Sequence, residues 1–93
     1  MIIILPRLFP LGQVVATPNA LASLTPDDIQ TGFQRHVSGD WGDLEADDVE
    51  ENQRSLKNGY RLFSVYHAVN GTKFYIITEA DRSVTTVLLP EDY

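Results

Sequence analysis

A chain of 93 residues, 43% hydrophobic and 22% charged, is long enough for one small domain; it is too apolar for disorder and too polar for a membrane protein. The formal net charge of −6, seven Lys and Arg against thirteen acids, withholds the basic footprint that duplex binding through phosphates needs and makes a basic protein the natural partner. Without cysteine the chain has no disulfides, thiolate metal sites or cysteine nucleophiles, and a reducing cytoplasm is the expected compartment.

The opening MIIIL has no basic n-region and is cut by Pro6, so residues 1–16 read as an arm or strand and not as a signal peptide. Within them Ile2 to Leu5 is β-prone and Gly12 to Ala16 carries a second short apolar run. Thr17-Pro18, an N-cap followed by proline at the first helical position, starts a short helix over 18–24. Thr25-Pro26-Asp27-Asp28 repeats that signal with acids in the first turn. The stripe Ile29, Phe33, Val37 that follows makes a helix ending at Gly39, with His36 at its border. A second helix is predicted over 44–57, stopping at Asn58-Gly59. Its stripe, Val49, Asn52, Leu56, puts an asparagine where an apolar residue is usual, so Asn52 is expected to be buried between the helices and bonded to backbone near the Gly39-Asp40-Trp41-Gly42 turn.

From Tyr60 the period becomes two. YRLFSVYHAV and TKFYIITE flank Asn70-Gly71, which predicts a two-residue type I′ hairpin with Val69 opposite Thr72, His67 opposite Phe74, Val65 opposite Ile76 and Phe63 opposite Thr78. After a four-residue loop at Ala80 to Ser83, VTTVLL adds a strand with Thr85, Val87 and Leu89 beside Thr78, Ile76 and Phe74. The predicted core face is therefore Phe63, Val65, Phe74, Ile76, Val87 and Leu89. The fold class is α+β: an antiparallel three- to four-stranded sheet (60–90) with two main helices from the helical part (17–59) packed on that face, all in one domain. The other face collects Leu62, Tyr66, Tyr75, Ile77 and Leu88, which the arm, a partner or a second copy in a homodimer would cover.

His36 and Asp40 have the residue types of an acid–base pair; the alternative is a helix-end histidine beside a capping aspartate. Trp41, between two glycines, is either an anchor over Phe33 or Val37 or an exposed contact. Arg82, in the loop with Asp81 and near Glu79, is either an anion cradle or a surface ion pair. Thr78 and Thr85 pair on the core face, and His67 is expected to stack on Phe74. Asp40, Asp43, Glu45, Asp47, Asp48, Glu50 and Glu51 put seven of the thirteen acids in one run, either a phosphate-mimicking surface or a solvated helix start. With Trp41, Tyr66 and Tyr75 they make up the candidate binding residues. No P-loop, dinucleotide glycine motif, HExxH, EF-hand loop or G-x-S-x-G elbow occurs, so no cofactor or metal site is expected.

RLFPLGQVVATPNAL, RHVSGDWGDL, NGYRLFSVYH and YIITEADRSVTTVLLPEDY together resemble a family of small proteins of bacterial plasmids, prophages and integrative elements, with the motifs RHxxGDWGD and ITEADRSxTTxLLPExY. Members sometimes carry the label type I restriction endonuclease subunit M, but the chain has neither a glycine-rich cofactor loop nor an NPPF-like motif and is no methyltransferase. The resemblance covers nearly the whole chain, with Met1 to Leu5 ahead of the family's usual opening. It implies a setting of mobile DNA and conflict with host defence, and it carries over no catalytic residues. Two functions are therefore expected: a non-enzymatic, acidic interaction protein antagonising restriction or CRISPR defence, or a small nuclease resembling barnase and RelE-like toxins in element order. In the second, His36 would be the general acid or base, Arg82 the phosphate clamp, and Thr78 or Thr85 a hydrogen-bond donor.

Overall fold

The computed structural model describes residues 7–93; the arm expected over Ile2 to Leu5 lies outside them. Strand β1 (Gln13–Ala16) leads into helices α1 (Pro18–Ser23), α2 (Pro26–Val37) and α3 (Ala46–Asn58), then strands β2 (Leu62–His67), β3 (Lys73–Thr78) and β4 (Val84–Leu88) and a 3-10 turn, Pro90–Asp92. The helix starts follow the capping chemistry. Thr17 Oγ1 accepts from the Ala20 amide at 3.1 Å, and Thr25 and Asp28 form a reciprocal capping box with Pro26 at the first turn. α3 ends on Gly59 in the left-handed conformation, but its N-cap is Glu45, which makes no side-chain bond. Asp40 and Asp43 do not cap it.

The sheet is mixed, in the order β1-β4-β3-β2. The α+β class stands, but the expectation of a wholly antiparallel sheet does not: β1 runs parallel to β4, Val14 beside Thr85 and Ala16 beside Val87. The run from Gly12 to Ala16 is thus a sheet edge. Gly12 has φ +64, and a Cβ there would stand 2.3 Å from the Ser83 carbonyl oxygen, so only glycine lets the chain enter beside β4.

The β3–β4 register is the predicted one, with Ile76 opposite Val87 and Thr78 opposite Thr85. The β2–β3 register is not. Tyr66 pairs with Phe74, Ser64 with Ile76 and Leu62 with Thr78, one residue from the expected alignment. The Ala68 amide bonds to the Thr72 carbonyl at 2.8 Å and the Gly71 amide to the Ala68 carbonyl at 2.9 Å. Gly71 has φ +88, while Asn70 is not among the positive-φ residues a type I′ turn requires. The connection is therefore a three-residue loop with glycine in the left-handed position, and the extra residue turns every β2 side chain to the opposite face. Val65 and Ile76 lie on different faces. Leu62, Ser64 and Tyr66 join Phe74, Ile76, Thr78, Thr85, Val87 and Leu89 in the interior, whereas Phe63 and Val65 go to the outer face with Tyr75, Ile77 and Leu88. The expected dimer patch is split: buried Leu62 and Tyr66 cannot take part. His67 pairs with Lys73 and is exposed, so it does not stack on Phe74.

α1 and α2 cover the inner face, where Ala20, Leu24, Tyr66, Phe74, Ile76, Val87 and Leu89 form one cluster with Ile29 and Phe33. α3 lies at the β2 side of that face, its Val49 and Leu56 packed on a second cluster of Phe9, Val37, Trp41 and Leu62. There the buried Asn52 side-chain amide donates to the Phe63 carbonyl at 2.6 Å and accepts from the Phe63 amide at 3.2 Å. The next outward-facing residue, Val65, is paired by backbone: its amide donates to the Trp41 carbonyl (3.1 Å) and its carbonyl accepts from the Asp43 amide (2.9 Å). Asn52 thus caps a strand edge that would otherwise be an open template; it is buried as expected, but against β2 and not between the helices, and its backbone partner is Phe63, two residues before the Val65 that bonds the turn.

Candidate functional site

His36 lies in the last turn of α2 and is fully buried. Its Nδ1 is 2.6 Å from Ser64 Oγ and its Nε2 2.9 Å from Thr78 Oγ1. Thr78 Oγ1 is 2.8 Å from Thr85 Oγ1, and the Thr85 hydroxyl donates to the Leu11 carbonyl at 2.7 Å. These contacts fix the direction of the chain. The one Thr85 proton goes to Leu11, so Thr78 donates to Thr85 and accepts from Nε2–H of a neutral imidazole, whose bare Nδ1 accepts from Ser64. Burial, with the Arg82 charge nearby, pushes the His36 pKa down to about 3. Phe9 meets the ring edge-on at 5.2 Å and Trp41 at 5.6 Å.

This network also accounts for the β2 register. With Ser64 inward, both imidazole nitrogens are satisfied; the predicted register would turn Phe63 and Val65 inward and leave a buried nitrogen unpaired, at a cost of about 1–3 kcal/mol. The sequence brought His36, Thr78 and Thr85 into one candidate site, and they do meet, but as a sealed brace between α2, three strands and the segment ahead of β1.

Asp40 does not reach His36. It forms a bidentate pair with Arg35, Nε to Oδ2 at 2.7 Å and Nη2 to Oδ1 at 3.2 Å. That guanidinium holds the carboxyl below its usual range and sits 4.6 Å over the Tyr66 ring. The Tyr66 hydroxyl donates to the Asp40 carbonyl at 2.6 Å, and burial raises its pKa. Both readings that paired Asp40 with His36 or placed Tyr66 on a binding surface are thereby corrected. Trp41, 3% exposed, packs with Phe9, Val37 and Leu62, and its indole N–H has no hydrogen-bond partner among the described residues. It is an anchor, not a surface contact.

Arg82 does not pair with the Asp81 or Glu79 carboxylate. Its guanidinium donates to four backbone carbonyls: Tyr60 (2.6 Å), Glu79, Ala80 and Ser55 (each 3.1 Å). Ser55 belongs to the last turn of α3, so the arginine ties that helix end to the β3–β4 loop, with its own backbone at φ 62. Desolvation lowers its pKa, but a guanidinium remains charged.

The acids differ from these groups in being exposed. Asp43, Glu45, Asp47, Asp48, Glu50 and Glu51 all reach solvent. Asp43 meets His67 Nδ1 at 2.6 Å and Glu51 meets Arg54 at 2.7 Å; no ion pair among the described residues uses the other four. Between α3 and the outer sheet face lies a cleft of about 360 Å³, lined by Leu44, Asp48, Glu51, Asn52, Arg61, Phe63, Tyr75 and Tyr93. Phe63 was hidden from sequence reasoning by the register, and Tyr93 by lying beyond the last strand.

Among the described residues no His, Asp and Glu side chains cluster as a metal site, and no helix is long and apolar enough to cross a membrane. Comparison with protein-family models, curated proteins and solved structures gives no match.

Proposed function

We propose that the chain is a non-catalytic interaction protein of a bacterial mobile element. In this reading it binds a basic nucleic-acid-binding or defence protein in the cytoplasm, occupying the phosphate-binding surface of a restriction or CRISPR complex. One observation carries it: six carboxylates around the start of α3 stand in solvent, whereas the groups with catalytic chemistry are committed to holding the fold. Acids spaced along a helix present a negative field to a positively charged groove, and such complementarity speeds encounter and selects partners. The mobile-element setting rests on the family resemblance alone.

The nuclease reading requires His36 to exchange a proton with substrate and Arg82 to face a phosphate. A fully buried imidazole with both nitrogens bonded, and a guanidinium spent on four carbonyls, favour the binding reading.

The test is displacement of fluorescent duplex DNA from a panel of purified type I restriction and CRISPR effector complexes. The parent chain is expected to displace DNA from at least one. The variant Asp43→Asn, Glu45→Gln, Asp47→Asn, Asp48→Asn, Glu50→Gln, Glu51→Gln should lose that activity while keeping its circular dichroism. Equal displacement by both proteins would remove the charge-based reading.

A further inference from the structure

The cleft between α3 and the outer sheet face combines two features that the acidic run alone lacks. It is a concavity lined by three rings: the half-buried Phe63 and Tyr75 have centroids 4.8 Å apart, and the exposed Tyr93 stands at the rim nearly perpendicular to both, at 6.2 and 6.1 Å. Its helical wall carries Asp48 and Glu51, three residues apart and so on one side of α3. The rings already attract cations from the chain itself: the Arg61 guanidinium lies 5.5 Å over Tyr93 and donates to its hydroxyl at 2.6 Å, and Lys73 Nζ lies 5.9 Å over Tyr75. Beyond Tyr93 a second depression of about 250 Å³ continues along Ile77, Thr86 and Leu88, with Glu79 and Asp92 in its lining. The outer face is thus aromatic and apolar, with Asp48, Glu51 and Glu79 around it beside Arg61, while the Asp92 carboxylate is already bonded to Thr17, Asn19 and the Leu89 amide.

Resting on the binding reading above, we infer that this cleft is the anchor point for one arginine side chain of the basic partner. A guanidinium is planar, is weakly hydrated for a cation and stacks on aromatic faces, and its fork matches carboxylate oxygens. In the cleft it lies against Tyr75 and Tyr93 and bonds Asp48 and Glu51, taking Glu51 over from Arg54 and displacing Arg61 from Tyr93. A lysine ammonium, compact and strongly hydrated, gains less from the same rings. The half-buried rings give the interface an apolar centre and the surrounding acids supply its polar rim, the arrangement in which aromatic and arginine residues dominate binding.

The experiment is an NMR titration of the full chain with blocked hexa-arginine and hexa-lysine peptides at matched ionic strength. Two variants with equal charge removed from the same helix are compared: Asp48→Asn/Glu51→Gln in the cleft and Asp47→Asn/Glu50→Gln outside its lining. Hexa-arginine is expected to bind about fivefold more tightly than hexa-lysine, the scale of a cation–π contact, with shifts concentrated at Phe63, Tyr75 and Tyr93. The cleft pair should weaken it about tenfold, the loss of charge-assisted bonds, and the outer pair about twofold. Tyr75→Leu, which keeps apolar bulk without a π face, should abolish the preference for arginine. Equal losses from the two acid pairs, or equal affinity for the two peptides, would overturn the cleft while leaving a diffuse charged surface standing. If the parent bound neither peptide, the cleft and the charge-based reading would fall together.

Discussion

The sealed imidazole makes a quantitative expectation about acid stability. The His36 pKa is about 3 in the folded protein against an ordinary value of 6.5, so between these values the unfolded chain carries a proton that the folded one does not. Stability therefore falls as pH drops through 6.5 and continues to fall toward 3, the sign for a group whose charged form the fold disfavours. From pH 7 to pH 5 the loss from this histidine alone is about 2 kcal/mol, since each decade below 6.5 costs about 1.4 kcal/mol. Other groups add slopes of their own, so the measurement is a difference. Urea midpoints at pH 7, 6 and 5 are compared between the parent and His36→Gln, which lacks the titration but keeps a hydrogen-bonding side chain. The parent should lose about 2 kcal/mol more than the variant across that window. The His36 ring proton shifts should not move between pH 7 and pH 5. Parallel stability curves, or a His36 titration midpoint near 6.5, would refute the claim that Ser64 and Thr78 hold a neutral, buried ring.

Other perturbations follow from the same geometry. Trp41→Ala should cost about 3 kcal/mol or more in denaturant unfolding, because the ring fills the contact between Phe9, Val37 and Leu62; stability equal to the parent's would mean the ring is not a core anchor. Gly42→Ala should destabilise by at least about 2 kcal/mol, since its φ is +75 and a Cβ would lie 1.9 Å from the Val65 carbonyl oxygen; a neutral thermal melt would contradict the close approach. Asn52→Leu should cost about 1–3 kcal/mol by leaving the Phe63 amide and carbonyl unpaired, with faster amide exchange at Phe63 as the local sign. Asp40→Asn should stay within about 1 kcal/mol in the same unfolding assay, as its pair with Arg35 is solvent-exposed.

Much of the helical half was legible because its signals are local. Thr17, Thr25 and Gly59 mark helix ends through chemistry that needs no distant partner, whereas Trp41 between two glycines suited an anchor and an exposed contact alike. The β3–β4 register was equally accessible from alternation on both sides of a short loop. The β2 register was not. Asn70-Gly71 suits a two-residue turn or the end of a three-residue one, and both faces of β2 offer apolar side chains. What decides between them is Ser64 bonding a histidine 28 residues away, a pairing no local pattern contains. The parallel β1–β4 pairing and the capture of four carbonyls by Arg82 are non-local in the same way. The aromatic cleft then followed the register: once Phe63 turns outward, Tyr75 and Tyr93 gain a neighbour and the acids of α3 gain a floor.

The central claim is that the buried histidine brace builds the fold while the carboxylates and rings outside it bind. Its most direct test sets two proteins side by side in the DNA-displacement assay: His36→Gln, held at a temperature where Trp41 fluorescence shows it folded, and the six-carboxylate amide variant. The account expects His36→Gln to displace DNA as the parent does and the amide variant to fail. Loss of displacement in folded His36→Gln, with full activity in the amide variant, would contradict it.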